Sequence, residues 1–320
     1  MSARFDYSTA PPAYVWLNGK LVPWAEATVP VTAMGASGGL AVFEGVKAYW
    51  NPAEEQLYIV RLDAHLKRLY DSMKIVRMVP SYRPEELAAA ALDMLRANQI
   101  REDTYLRPVA FYDGVKLPSF RYTVGAAPDI CLSAMAFHTH LLQHKAKACA
   151  VSSWTRLSDN QSPPRVKVMS NYQNNRLAFT EAFVDGYDDA ILLDERGKVT
   201  EATGACLFMV RDGVVVTPSI SHGILESVTR DTVIRLCRDV LGLTVQEREV
   251  DRTELYVCEE VFLSGTGEEV TAVTSVDRLP VADGQPGPVF LAVERLYHDL
   301  VRGLDRRYPE WRTPVYEPTS

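Results

Sequence analysis

Hydrophobic and polar positions along this chain switch between a period of two and a period near 3.6. Val15-Trp16-Leu17-Asn18-Gly19-Lys20-Leu21-Val22 sets an Asn-Gly turn between two apolar runs, which predicts a β-hairpin. Residues 33–41 are rich in Gly, Ala and Ser and carry little side chain. Val42 to Trp50 and Gln56 to Arg61 read as strands. Leu62, Leu66, Leu69, Met73 and Val76 then recur at helical spacing, so a helix follows. His65, Arg68 and Ser72 form a polar stripe on that helix, and the plain reading of such a stripe is a solvated face. Glu85 to Asn98 predicts another helix, and Tyr105 to Phe111 and Ile130 to Phe137 predict two further strands.

The second half alternates strands and helices. Ala148 to Ser153 and Ala190 to Asp194 predict strands, and Leu207 to Val216 predicts a hairpin about Asp212-Gly213. Asn174 to Val184 and Thr229 to Leu241 predict helices, the second capped by Ser227 or Thr229. Val261 to Glu269 is a strand entering a turn of small residues. Composition shifts in the histidine-bearing stretch that begins at His138. The expected organisation is therefore a small α/β domain over 1–137, a linker over 138–145 and a larger domain over 146–320. The fold class is α/β (α+β).

A chain of 320 residues with 47% hydrophobic residues has ample material for two cores. Its net charge of −7 comes without any Lys/Arg-rich block, which argues against a nucleic-acid partner. Met1 to Asp6 lacks a signal-type apolar run, and no apolar stretch reaches the roughly 18 residues that span a bilayer. Five cysteines, odd in number and never spaced Cys-x-x-Cys, read as reduced thiols of a cytoplasmic protein. His138, His140 and His144 match no closed zinc spacing, so no metal is expected.

Lys167 carries the candidate chemistry. Valines flank it, which suits a strand with the lysine on one face, and Tyr172 follows five residues later. A lysine in a partly dry pocket keeps some amine unprotonated and so can hold an aldehyde. Pyridoxal phosphate needs such a lysine, an acid beside its pyridine nitrogen, amides and a cation for its phosphate, and a clamp for the substrate carboxylate. Glu201, the helix start at Val228-Thr229, the Thr266-Gly267 turn and Arg68 are the matching candidates.

The chain resembles the class IV, fold-type IV aminotransferases that use pyridoxal phosphate, and within them the branched-chain amino acid aminotransferases. The resemblance runs from about Tyr14 to about Leu304. It rests on Trp16-x-Asn18-Gly19, Phe43-Glu44-Gly45, His65-x-x-Arg68-Leu69-x-x-Ser72 and Tyr105-x-Arg107-Pro108. Ser153-Trp154, Lys167-x-x-x-Asn171-Tyr172, Gly186-Tyr187-Asp188, Thr229-Arg230-Asp231 and Gly265-Thr266-x-x-Glu269 continue it in the same order.

The resemblance implies a two-domain enzyme like the D-amino acid aminotransferases, with its active site in the interdomain cleft. It implies transamination of a branched-chain or related apolar L-amino acid with 2-oxoglutarate or glutamate, by a homodimer or larger homo-oligomer in which the loop near 33–41 closes the partner's site. Lys167 would be the catalytic lysine and proton carrier. Glu201 would face the pyridine nitrogen, Tyr172 the ring oxygen, and Arg68, Val228, Thr229 and Thr266 the phosphate. Phe43, Tyr105, Arg107, Thr266 and Gly267 would face the substrate, with Arg107 at a distal carboxylate.

Four positions depart from the family pattern: Gly38, Lys47, His140, and Cys206 where an asparagine is usual. They leave the cofactor set intact and alter the expected pocket lining. Other activities on the same fold are a D-amino acid aminotransferase, an (R)-amine transaminase and an aminodeoxychorismate lyase. Phe43-Glu44-Gly45 and Tyr105-x-Arg107-Pro108 favour the branched-chain side. A non-catalytic protein that sequesters metal through its histidines is the alternative of another class.

Overall fold

The structure is a computed structural model that describes residues 10–114, 121 and 123–317. Met1 to Asp6, read above for a leader, lies outside the described residues. The chain divides into two compact units, one running up to His138 and including the chain from Pro309 onward, the other spanning Thr139–Tyr308.

In the first unit the Asn-Gly hairpin joins β1 (Tyr14–Leu17) to β2 (Lys20–Pro23). Asn18 and Gly19 both take positive φ, at 46° and 91°, as a tight two-residue hairpin turn requires. The Gly/Ala/Ser stretch forms a one-turn helix, α1 (Met34–Ser37). The expected single strand over 42–50 is instead two, β3 (Ala41–Phe43) and β4 (Val46–Asn51). After β5 (Gln56–Val60) come α2 (Leu62–Ile75), α3 (Pro84–Ala97), β6 (Thr104–Phe111) and β7 (Asp129–Ala136).

Both β3 and β4 pair with β6, at Val109–Phe111 and Thr104–Leu106 respectively, so the break between them lies opposite the middle of one continuous strand. On α2, Leu62, Leu66, Leu69 and Met73 are buried as their spacing requires. Truncating one of these leucines to alanine would cost about 2–5 kcal/mol. The expectation of a solvated stripe is corrected here, because His65 and Ser72 are buried as well. His65 is held there by Glu44, described below. The expected second domain, 146–320, is also corrected at its end: the strand Arg312–Pro314 pairs antiparallel with β5 and so belongs to the first unit.

The second unit begins with β8 (Ala146–Thr155), which runs parallel to both β9 (Asp189–Leu193) and the later β15 (Glu269–Val276). Between β9 and β15 come β10 (Val199–Ala202), β11 (Cys206–Arg211), β12 (Val214–Thr217), β13 (Val245–Glu247) and β14 (Glu260–Gly265). Hydrogen bonding follows β10-β9-β8-β15-β14-β11, and a further pairing of β10 with β11 closes that path into a ring. The closing pair is Glu201 with Cys206.

Side-chain alternation fills the ring and its cover. Leu207 and Met209 join Ile191, Val261, Leu263 and Val273 in one buried cluster. Phe208, pointing the other way, stacks on Phe262 at 5.1 Å, and Phe262 meets Phe290 of α6 (Pro288–Val301). Helix α4 (Tyr172–Val184) packs on β8 and β9, and α5 (Val228–Arg235) on β14. No helix among the described residues is long and apolar enough to cross a membrane.

Candidate active site

Lys167 does not lie in a strand, contrary to expectation. Pro163 and Pro164 fix the local backbone and remove amide donors, so the segment turns into a short 3₁₀ helix at Met169–Asn171. Asn171 ties the loop from inside: its amide nitrogen donates to the carbonyls of Pro163 and Val166, and its oxygen accepts from Ser162. Lys167 is half-buried, and its Nζ donates to the Tyr172 hydroxyl at 2.5 Å. The five-residue spacing thus puts an amine and a phenol in one hydrogen bond at the start of α4.

Glu201 is buried on β10, and the partner of its charge is a residue the sequence reading missed. Arg156 Nη2 lies 2.7 Å from Glu201 Oε1, with both side chains almost wholly buried. The same guanidinium donates from Nη1 to Asn175 Oδ1 at 2.8 Å and from Nε to Gly223 O at 3.2 Å. Asn175 stands three residues beyond Tyr172 on α4 and donates to Thr203 O. Glu201 Oε2 accepts the Leu225 amide at 3.1 Å, three residues before α5 begins. One network therefore joins α4, which opens at Tyr172, to Glu201 and to the N-terminus of α5. Cys206, in the place of the usual asparagine, has its thiol 3.9 Å from Glu201 Oε2 and 3.6 Å from Leu225 O. A thiol is a weak donor at such range.

Ser227 is the cap of α5, accepting the Arg230 amide through Oγ at 3.2 Å. Val228 and Thr229 are the first two helical residues, so their amides have no acceptor within the helix and present the positive end of its dipole. Thr266 and Gly267 form the turn between β14 and β15. Glu269, which follows them, is buried with φ 53° and accepts from Thr139 Oγ1 and the His140 amide.

The linker histidines likewise find carboxylates or hydroxyls. His140 lies 3.1 Å from Glu269 and 3.0 Å from Thr271, and His144 lies 2.6 Å from the buried Glu294. Among the described residues no group of three or more His, Cys, Asp or Glu side chains is placed to hold a metal. The cysteines are free thiols, and burial pushes Cys131 and Cys258 up to about 11 and Cys237 up to about 12, which keeps them protonated.

In the first unit the substrate candidates gather around the break between β3 and β4. Glu44 is fully buried there, bonded to Arg68 through Nε at 2.7 Å and Nη2 at 2.8 Å and to His65 Nδ1 at 2.8 Å. Gly45 is required by Tyr105: a Cβ at this position would stand 1.7 Å from the Tyr105 hydroxyl. Tyr105 and Arg107 alternate to the same face of β6, and the Arg107 guanidinium lies 4.6 Å from the centre of the Phe43 ring. Among the described residues Arg107 has no carboxylate partner. Lys47 is buried, with its ammonium 4.7 Å from the Phe137 ring and 5.1 Å from that of Tyr49.

Burial alone would raise Glu44, but the charge of Arg68 and the hydrogen bonds of Arg68 and His65 outweigh it and hold the carboxyl down to about 2. A depressed carboxyl contributes stability that is complete above its unfolded value near 4.5 and is lost as pH falls through 2. At about 1.4 kcal/mol per tenfold change in proton affinity, the contribution is roughly 3 kcal/mol. Acid unfolding should therefore show an extra loss of about that size between pH 4.5 and 2, and Glu44→Gln should remove it. Equal acid limbs in the two proteins would contradict this.

The family model described as amino-transferase class IV matches residues 41–276. The chain is 40% identical over 304 residues to a probable branched-chain-amino-acid aminotransferase of Aquifex aeolicus, covering 95% of this chain and 97% of that one. It is 43% identical, with a TM-score of 0.92, to the branched-chain amino acid aminotransferase of Thermobaculum terrenum in its PLP form, over 96% of this chain and 99% of the other. The branched-chain aminotransferase of the archaeon Thermoproteus uzoniensis, solved with norvaline, is similar at 38% identity and a TM-score of 0.90, over 95% and 100% of the two chains.

Proposed function

This chain belongs to the class IV aminotransferases, enzymes dependent on pyridoxal phosphate, and on that premise we propose that it exchanges the amino group of a branched-chain or related apolar L-amino acid with 2-oxoglutarate. The observation that carries the reading is the Lys167 amine, half-buried and hydrogen-bonded to Tyr172 at the start of α4, the helix whose Asn175 is bonded to the Arg156 that pairs with Glu201. The donor set fits the cofactor: an amine for its aldehyde, a phenol for its ring oxygen, a buried carboxylate for its pyridine nitrogen. The amides of Val228 and Thr229, with Thr266, suit its phosphate.

When bound, the cofactor supplies an electron sink that stabilises negative charge at the substrate Cα. Lys167 Nζ would be the group that carries the proton to and from the substrate Cα, and Tyr172 would orient that amine. Glu201, its charge paired with Arg156, holds a proton on the pyridine nitrogen. Thr266 and Gly267 present their backbone to the substrate α-carboxylate. Phe43 and Tyr105 furnish apolar surface for a branched side chain.

One pocket must also accept a dicarboxylate, and an unpaired buried carboxylate is costly. Arg107, stacked on Phe43 with no acid of its own among the described residues, is suited to that second carboxylate. Arg107→Met should therefore damage the half-reaction with 2-oxoglutarate or glutamate far more than the one with a monocarboxylic donor, by roughly 2–4 kcal/mol. Stopped-flow comparison of the two half-reactions checks this, and equal losses would make Arg107 a scaffold residue.

The same reading makes the enzyme a cytoplasmic homodimer or larger assembly, which a fully active monodisperse monomer at nanomolar concentration would refute. A screen of amino donors against 2-oxoglutarate tests the substrate class. L-leucine, L-isoleucine and L-valine should lead it, whereas D-alanine or an (R)-amine at the head would move the activity elsewhere on this fold.

A further inference from the structure

Lys147 opens a second polar cluster in the Thr139–Tyr308 unit, which meets the Glu201 network at Thr203. It sits near the start of β8 and is almost buried. Its Nζ lies 2.8 Å from Asp189 Oδ2, at the start of β9, and 2.7 Å from Glu268 Oε2, in the turn between β14 and β15. Asp189 Oδ1 in turn accepts from Thr203 Oγ1 at 2.5 Å, in the turn between β10 and β11. One ammonium thus connects two strand starts and two turns. Both turns belong to the proposed site: Thr203 follows Glu201 by two residues, and Glu268 follows Gly267 directly.

The two turns also touch. A Cβ on Gly265 would stand 3.1 Å from Gly204 O and 3.5 Å from Ala205 Cα, so a displacement of one turn presses on the other. Glu268 depends on Lys147 for its place. Among the described residues no other group bonds its side chain, and its buried Oε1 has no partner at all. Burial draws Lys147 down, but the charges of Glu268 and Asp189 outweigh this and hold it well above an ordinary lysine, so it stays charged at any working pH.

We propose that Lys147 is a positioning residue for substrate binding: through Glu268 and Asp189 it braces the Thr266-Gly267 turn against the turn that follows Glu201. The inference rests on the proposed contact of Thr266 and Gly267 with the substrate α-carboxylate. Amides aim at a carboxylate only if the turn that carries them is fixed, and Glu268 is the side chain beside them with a charged anchor. Without the ammonium, two nearly buried carboxylates meet with no cation between them, and the turn is driven outward. Amino acid and 2-oxo acid share an α-carboxylate, so both should bind more weakly. Glu201 is joined to the cluster at one remove, through Arg156, Asn175 and Thr203, so the pairing of its charge with Arg156 should persist.

The test uses the holoenzyme. Lys147→Met should raise KM for the amino donor and for 2-oxoglutarate together by about tenfold, the scale of one charge-assisted hydrogen bond. Its kcat should change less than KM, its bound-cofactor absorbance should stay as in the wild type, and its cofactor affinity, to which Thr266 contributes beside Val228 and Thr229, should fall by less than KM rises. Lys147→Arg should restore most of the loss. Glu268→Gln, which keeps shape and lowers charge, should raise both KM values in the same direction and serves if Lys147→Met does not fold. Unchanged KM values in these variants, or a loss of cofactor affinity that parallels the rise in KM, would overturn the proposal. Failure of the wild-type cofactor band to respond to any amino acid would instead overturn the transaminase reading.

Discussion

Lys167→Ala is expected to abolish transamination. Lys167 is the amine bonded to Tyr172, and in the proposed mechanism it both holds the cofactor aldehyde and carries the proton. Losing a general acid–base alone costs about 10²–10⁴-fold, and losing the covalent anchor as well should bring the loss to about 10⁴-fold or more. Steady-state turnover with an excess of added cofactor checks this. A variant that keeps a tenth of wild-type turnover without added amine would show that another group does the work. Tyr172 alone cannot substitute, since a phenol has no amine with which to hold the aldehyde.

The second large effect is expected at Glu201. Glu201→Gln keeps the shape of the side chain and its bond from the Leu225 amide but removes the charge proposed to face the pyridine nitrogen. About 10²-fold or more in kcat should be lost, on the scale of one preorganised electrostatic group, while cofactor binding persists. Arg156→Met should act differently. It leaves Glu201 buried without its counter-charge, which costs about 3–5 kcal/mol of stability, so the melting temperature should fall together with the rate. Near-normal kinetics in Glu201→Gln would remove it from the ring nitrogen. An Arg156→Met protein as stable as the wild type would show that the buried pair is not a stabilising one.

The two residues also mark where sequence reading ends. Lys167 and Tyr172 were legible because five residues bring an amine and a phenol together, although the backbone around them was not: two prolines and the Asn171 hydrogen bonds override the valine pattern. Arg156 left a weaker signal. An arginine just past an apolar strand is ordinary in sequence, and only its burial shows that an acid must meet it. The His65 stripe failed as a solvated face because Glu44, twenty-one residues earlier, buries beneath it. Local periodicity carries no term for such a partner. Arg312–Pro314 is three residues long and ends in proline, too short for a strand pattern, and its pairing with β5 is fixed by tertiary contact. Helices α2, α3, α4 and α5 and the two hairpins, by contrast, followed from spacing and turn chemistry alone. The histidine run shows the same limit as Arg156, since the carboxylates that hold it, Glu269 and Glu294, lie more than a hundred residues away.

The most direct test of the central claim follows the bound-cofactor absorbance of the purified holoenzyme through one cycle. Adding L-leucine alone should bleach the band of the lysine-held cofactor and release one equivalent of 2-oxo acid. Adding 2-oxoglutarate after removal of the leucine should restore the band and form glutamate. A band that L-leucine, L-isoleucine and L-valine all leave unchanged, or one that 2-oxoglutarate cannot restore, would contradict the account.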